Sequence, residues 1–292
     1  MRVLVIGASG QVGVALTARL HERGHDVVGT HYGVPQPGTR PLDLTDSVAT
    51  ERLIAEVDPG WVVCPAGLTR VDHCEDHLDE AMAVNRDAPA AAARAAAKRG
   101  AGFVYFSTEY VFDGTAGPYA EDDPINPLSV YGRSKLEGER RTVEENSRTV
   151  VIRTTVVYGP EPQGKNFVYQ MLRRASTGEP IRAPRDQISS PTYNVDLAAA
   201  TVELIERDFR GVLHVAGPAV LDRYAFAQEV CAVFGLDQGL VEPVETAALH
   251  QRARRPLRAG LATDRAQGLL RTPLRAPREA LNDMRHALEG AR

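Results

Sequence analysis

The stretch from residue 3 to residue 13, VLVIGASGQVG, constrains this chain more than any other. A short, unbroken apolar run reads as a strand buried on both faces, the kind found inside a parallel sheet. Glycines follow at once, at positions 7, 10 and 13. The segment QVGVALTARLHERG then carries apolar residues at helical spacing and ends at Gly24, which suits a helix C-cap. A strand that turns through glycines into a helix builds a phosphate cradle. Gly7 lets the chain turn sharply, Gly10 lets backbone approach a pyrophosphate, and Gly13 lets helix and strand pack closely. The helix start adds free N–H groups and the positive end of its dipole. Placed between a clear strand and a clear helix, the pattern predicts a dinucleotide site rather than an empty tight turn.

The same rhythm continues along the chain. DVVGT reads as a second strand, DSVATERLIAEV as a helix capped by Asp46 or Ser47, and WVVC as a third strand. An alanine-rich helix is predicted over residues 80–98. GFVYFS (strand), LSVYGRSKLEGERRTVEEN (helix) and TVVIRTTVVYG (strand) follow. Such alternation predicts an α/β fold with a doubly wound parallel sheet of the Rossmann type. After residue 160 proline and glycine become frequent, as in GPEPQG, GEPIRAPRDQ and SSPTYN, and helices are predicted over 195–207 and 224–234. The expected division is a dinucleotide-binding domain over residues 1–160, with contributions from 185–215, and a smaller, discontinuous substrate-binding lobe mainly over 161–292.

Composition narrows the partners. A net charge of -4 over 292 residues argues against nucleic acid or a polybasic membrane surface, and leaves small anions open. Cys64, Cys74 and Cys231 are too few and too irregular for a disulfide framework. The N-terminus runs straight into the first strand without the apolar core of a signal peptide, and no stretch approaches a membrane span, so a soluble cytoplasmic protein is expected.

Three local features bear on chemistry. At the end of the second strand GTHYG offers Thr30 and His31, with neither an acid for ribose hydroxyls nor an arginine. The missing acid removes repulsion against a 2′-phosphate, which favours NADPH and leaves NADH open. Asp43, in PLDLTD, either accepts a hydrogen bond from an adenine amine or closes a turn. In SVYGRSKLEGE, Tyr131 and Lys135 stand one helical turn apart, either as a solvated pair or as an acid tuned by a neighbouring cation. His73 and His77 in VDHCEDH have the spacing of a zinc-binding pair, but no second pair accompanies them and no metal is assigned.

The glycine-rich start, STEYVFDG at 107–114, NPLSVYGRSKLEGE at 126–139 and RTTVVYG at 153–159 together resemble the extended short-chain dehydrogenase/reductase superfamily. Within it they look most like the dTDP-4-dehydrorhamnose reductase family, and the likeness continues through NFVYQMLRR, SSPTYNVDLA, YAFAQEV and RARRPLRAG. The resemblance implies a catalytic group of Thr108, Tyr131 and Lys135, with Tyr131 as proton donor and Lys135 on the nicotinamide ribose. A nearby ammonium is then expected to lower the phenol's pKa toward neutrality. The same resemblance implies that Gly7, Gly10, Gln11, Val12 and Gly13 hold the pyrophosphate, with His31 near the ribose. Asp43 and Leu44 would flank the adenine, and Cys64, Ala66 and Gly67 would line the nicotinamide wall. Asn166, Phe167, Arg254 and Arg255 would meet the sugar nucleotide, arginine suiting a diphosphate because its planar fork binds oxygens in pairs.

Two departures fall in the substrate pocket. Glu109 replaces the usual aspartate of STDYVFDG, and Val156 stands where rhamnose-forming relatives carry a tryptophan. The implied activity is NAD(P)H-dependent reduction of a nucleotide-linked 4-keto-6-deoxy sugar. Two alternatives stay open: a nucleotide-sugar epimerase or dehydratase that retains its cofactor, and a non-catalytic subunit resembling the regulatory β-subunit of methionine adenosyltransferase. The oligomeric state, a homodimer among the options, is not set by the sequence.

Overall fold

The computed structural model describes residues 1–290. Its first six strands are β1 Arg2–Val5, β2 Asp26–His31, β3 Thr39–Pro41, β4 Trp61–Cys64, β5 Gly102–Thr108 and β6 Thr149–Thr154. Four short ones follow: β7 Val157–Tyr158, β8 Ile181–Pro184, β9 Ile188–Ser189 and β10 Thr192–Tyr193. Next come β11 Gly211–His214, β12 Leu221–Asp222 and β13 Val241–Val244. The helices are α1 Gln11–Glu22, α2 Ser47–Val57, α3 Val71–Asp76, α4 Leu78–Met82, α5 Ala88–Lys98 and α6 Val130–Glu145. They continue with α7 Phe167–Thr177, α8 Asn194–Glu206, α9 Arg223–Phe234, α10 Asp264–Leu269 and α11 Pro277–Gly290.

Seven strands form one sheet in the order β11-β6-β5-β4-β1-β2-β3, every neighbouring pair parallel. Strand order reverses on either side of β1, so the ligand crevice of such a sheet opens at the carboxyl ends of β1 and β4. Alternation along β1 feeds two cores. Val3 and Val5 face α1 and α8 with Leu16, Leu20, Leu197 and Leu204. Leu4 and Ile6 face α2 and α5 with Ile54, Ala92 and Ala96. Local signals match the predicted ends: the Asp46 carboxylate caps α2 by accepting the Ala49 N–H at 2.9 Å, and Gly24 leaves α1 at φ +73.

Residues from β7 onward, apart from α8, β11 and α10, build a second core around Tyr158, Met171, Ile181, Phe226, Val230 and Leu281, wrapped by α7, α9 and α11. This lobe is tied to the loop after β1, where Gln11 donates to the Val157 carbonyl at 2.9 Å and Gln163 to the Ser9 carbonyl at 3.0 Å. Among the described residues no helix is long and apolar enough to cross a membrane.

Two predicted elements are broken where one was expected. The alanine-rich helix is interrupted by a π-helical turn, Ala83–Asp87, between α4 and α5. That turn frees the Asn85 carbonyl to accept the Tyr105 hydroxyl at 2.7 Å. The strand TVVIRTTVVYG stops after Thr154 and restarts at Val157, because Val156 turns the chain at φ +42. A β-branched residue is strained in that region, and β7 is thereby re-aimed to pair with β10 in the lobe.

Candidate active site

The glycine loop is built for close backbone approach. Gly7 has φ +96, and a side chain on Gly13 would drive into the Gly7 carbonyl. Gly10 is the N-cap of α1 and supplies no side-chain cap, and the first turn holds no acid. The leading N–H groups of Gln11, Val12 and Gly13 therefore face the crevice at the positive end of the helix, which fits a dinucleotide pyrophosphate. The Gln11 side chain does not join them: its amide donates to the Val157 carbonyl at 2.9 Å and ties the loop to the lobe. Val12 packs on the sheet core.

Thr30 at the end of β2 accepts the Gly7 N–H through its hydroxyl at 3.1 Å, and His31 shares a 2.8 Å hydrogen bond with Thr39. No carboxylate takes the ribose position on this strand. Arg40 lies opposite Thr30 in the register but is paired with Glu56 at 2.7 Å. One Asp43 oxygen accepts both the N–H and the hydroxyl of Thr45, so Asp43 closes a turn. Leu44 is buried beside it.

Across the crevice, β4 ends at Cys64, whose thiol burial pushes up to about 12, leaving it inert. Ala66 closes over Gly7, and a side chain on Gly67 would crowd the Asn85 amide oxygen and touch the Lys135 ammonium. Asn85 was not singled out in the sequence, yet it anchors this wall. Its side-chain oxygen accepts the Leu68 N–H at 2.9 Å, and its nitrogen donates to the Leu68 carbonyl and to Ser134, each at 3.0 Å. The loop after β4 is thereby clamped to α6.

Helix α6, which carries Tyr131 and Lys135, is capped by Ser129, whose hydroxyl accepts the Gly132 N–H at 3.1 Å. Gly132 leaves no room for a side chain against the Tyr110 carbonyl, so α6 seats directly on the turn that follows β5. This seats Tyr131 beside Thr108, whose hydroxyl favours the phenolate and accepts the Tyr110 N–H at 3.2 Å. Lys135 sits one turn along, buried, with its Nζ 4.1 Å from the centre of the Tyr105 ring. Behind the site, Arg153 makes a buried two-pronged pair with Glu139 at 3.0 and 2.8 Å, and Ser107 donates to the same carboxylate.

The electrostatics differ from the sequence expectation. Burial pushes the Tyr131 phenol well up, opposed by the neighbouring Thr108 hydroxyl, and the Lys135 charge does not pull it toward neutrality. Burial instead drives Lys135 down to about 8. A protonated phenol at neutral pH is the state a proton donor needs.

The lobe completes the pocket. Glu109, next to Thr108, is buried; burial lifts its carboxyl to about 8, and one of its oxygens has no hydrogen-bond partner. The Arg223 guanidinium opposes that rise and lies 5.1 Å from the centre of the Phe167 ring. Arg223, which opens α9, was not singled out in the sequence. Arg255 is held by Asp72 at 2.9 Å and by Gln251 at 3.1 Å, and its remaining Nη1 is buried without a partner. Arg254 is exposed. Asn166 has a different task from the one expected. Its side chain caps α7 through the Val168 and Tyr169 N–H groups and donates to Gly159 and Glu161, which uses its hydrogen-bonding capacity internally.

A glycine cradle at a strand-order reversal, with a Thr–Tyr–Lys group drawn from β5 and α6, defines an oxidoreductase of the extended short-chain dehydrogenase/reductase type. The comparisons place it more closely. The family model described as the RmlD substrate binding domain matches residues 1–289, and the chain belongs to this family. A dTDP-4-dehydrorhamnose reductase of Mycobacterium tuberculosis is 37% identical over 286 residues, covering 96% of this chain and 91% of that one. A Streptomyces antibioticus protein described as a "Probable dTDP-4,6-dihydroxy-2-methyloxan-3-one 4-ketoreductase" is 36% identical over 286 residues, covering 97% and 94%. The solved dTDP-4-dehydrorhamnose reductase of Bacillus anthracis, in complex with NADP, superposes with a TM-score of 0.90 at 28% identity, covering 98% of this chain and 99% of that one.

Proposed function

We propose that this protein is an NADPH-dependent reductase of a nucleotide-linked 4-keto-6-deoxy sugar. The observation that carries the reading is the convergence of buried Thr108, from the end of β5, and buried Tyr131, from α6, with a buried Lys135 one helical turn along. The NADP complex of the Bacillus anthracis relative, and the absence of an acid at the end of β2, support NADPH over NADH. The reduced nicotinamide, when bound, supplies the hydride. Thr108 holds the substrate carbonyl oxygen, and Tyr131, protonated because it is buried, delivers its proton to that oxygen as negative charge develops there. Lys135, positively charged below about pH 8, holds the cofactor ribose. Arg255, with an unpartnered buried N–H edge, and Arg223 supply positive charge for the diphosphate.

The sugar itself is where this chain departs from its rhamnose-forming relatives. Val156 and Glu109 change the surface that the hexose meets, and the Streptomyces antibioticus relative carries the name of a different 4-ketoreductase. The test is loss of absorbance at the reduced-nicotinamide band, with NADPH and NADH in turn. The substrates are dTDP-4-keto-6-deoxyglucose and its 3,5-epimerised form. Turnover is expected with NADPH, and Tyr131→Phe should lose about 10²–10⁴-fold in kcat while still binding NADPH. Turnover without net cofactor oxidation would replace the reductase with an epimerase or dehydratase. No turnover, together with a stable complex with methionine adenosyltransferase, would favour the regulatory-subunit alternative.

A further inference from the structure

Away from the cleft, one group of side chains converges without a task in the reduction. His73 in α3 and His77, which ends that helix, stack their rings with centroids 3.8 Å apart and planes 12° from parallel. Glu80 in α4 reaches the pair, with Oε2 2.8 Å from His73 Nε2. One candidate ligand atom from each of the three residues lies within 4.8 Å of the other two. His77 Nδ1 sits 3.0 Å from the His73 carbonyl oxygen. A carbonyl can only accept there, so Nδ1 carries the proton and the neutral ring presents its lone pair at Nε2. A backbone carbonyl on the far nitrogen is how ligating histidines are oriented in metal sites.

We propose that His73, His77 and Glu80 form a binding site for a divalent transition metal of the zinc type, with a fourth position open to water. Two imidazoles and a carboxylate suit Zn²⁺, Ni²⁺ or Cu²⁺, whereas Mg²⁺ and Ca²⁺ take oxygen ligands. The sequence showed only the histidine pair. The third ligand arrives because the chain breaks between α3 and α4 at His77, with φ -132 and ψ 58, and starts a new helix that carries Glu80 back over His73. On binding, the ion takes the place between His73 Nε2 and Glu80 that a hydrogen bond now fills. The stacked rings must splay so that both Nε2 lone pairs converge. All three side chains are partly exposed, so that rotation meets solvent rather than a packed core.

The other side of α3 leads to the active site. Cys74 packs with Tyr131, and the Glu75 carboxylate accepts the Val130 N–H at 2.7 Å at the start of the catalytic helix. An ion tying α3 to α4 is therefore positioned to stiffen the wall behind the proton donor.

The experiment is calorimetric titration of the untagged full chain with Zn²⁺ in a non-chelating buffer, repeated with Co²⁺ while following its visible absorption. One ion per chain is expected, with Kd on the order of micromolar. His77→Ala leaves the His73–Glu80 contact intact and should weaken binding at least about tenfold; Glu80→Gln should do the same. Zn²⁺ should raise the melting temperature of the wild type and not that of His77→Ala. Absence of saturable one-to-one binding below about 1 mM would overturn the proposal, leaving a plain surface His–Glu pair. Equal binding by wild type and His77→Ala would also overturn it, by placing the ion elsewhere.

Discussion

Glu109 makes a prediction that separates its burial from every other titrating group. Its carboxyl is raised from 4.5 to about 8 because desolvation outweighs the opposing Arg223 charge. A raised acid keeps its proton in the folded state and loses it in the unfolded state across that window. The folded state therefore binds one more proton, and stability falls as pH rises, by about 1.4 kcal/mol per pH unit. Over the whole window the loss is on the order of 5 kcal/mol. Glu109→Gln keeps the shape and stays neutral, so it should gain on the wild type steadily from pH 5 to pH 7.5. Other groups cancel in this comparison. His214, buried and pushed down to about 4, contributes stability that rises with pH between its folded and unfolded values, equally in both proteins. Lys135 acts only above about 8, and the depressed Glu203 only at acid pH. The assay is urea unfolding of both proteins at four pH values, taking the difference in unfolding free energy. Parallel pH profiles, or a glutamine variant less stable than the wild type at pH 7.5, would refute the view of Glu109 as a buried, largely protonated acid.

Three further substitutions test the frame around the site. Gly13→Ala forces a methyl into the Gly7 carbonyl; it should cost about 1–3 kcal/mol of stability and weaken NADPH binding at least tenfold, read by melting temperature and fluorescence titration. Glu139→Ala strands the buried Arg153 guanidinium and should cost about 3–5 kcal/mol in chemical denaturation, far more than removing any exposed pair. Asn166→Ala should act as the loss of a helix cap and buried hydrogen bonds, lowering stability by about 1–3 kcal/mol; a selective rise in KM with stability unchanged would instead restore it to the substrate pocket.

What the sequence disclosed, and what it concealed, divides by the range of the interactions. The glycine loop, the Asp46 cap, the helix stop at Gly24 and the buried strands depend on neighbours within a few residues, and they stand where the pattern predicted them. The π-turn at Asn85 depends on Leu68, Tyr105 and Ser134, which are distant in sequence and adjacent only once the sheet has formed. No local periodicity encodes such a turn, so an alanine-rich run reads as one helix. Val156 is the same case reversed: β propensity extends the strand through it, while the meeting of sheet and lobe turns it to φ +42.

The site divides along the same line. Tyr131 and Lys135 are four residues apart on one helix, so their partnership is written locally, and Thr108 reaches them from the end of the neighbouring strand. Their pKa values are not written locally, because burial is a property of the whole fold; it sets the phenol in the direction opposite to the one expected from its neighbouring ammonium. The pocket facing the sugar lies furthest from local rules. It brings together Glu109 from the turn after β5 and Arg223 from α9. A strained backbone at Val156 and an unpaired buried carboxyl oxygen at Glu109 both cost stability. Burial and backbone strain thus fall at Glu109 and Val156, the same positions at which the sequence departs from its rhamnose-forming relatives, which is why the proposed reading looks to them for the choice of sugar.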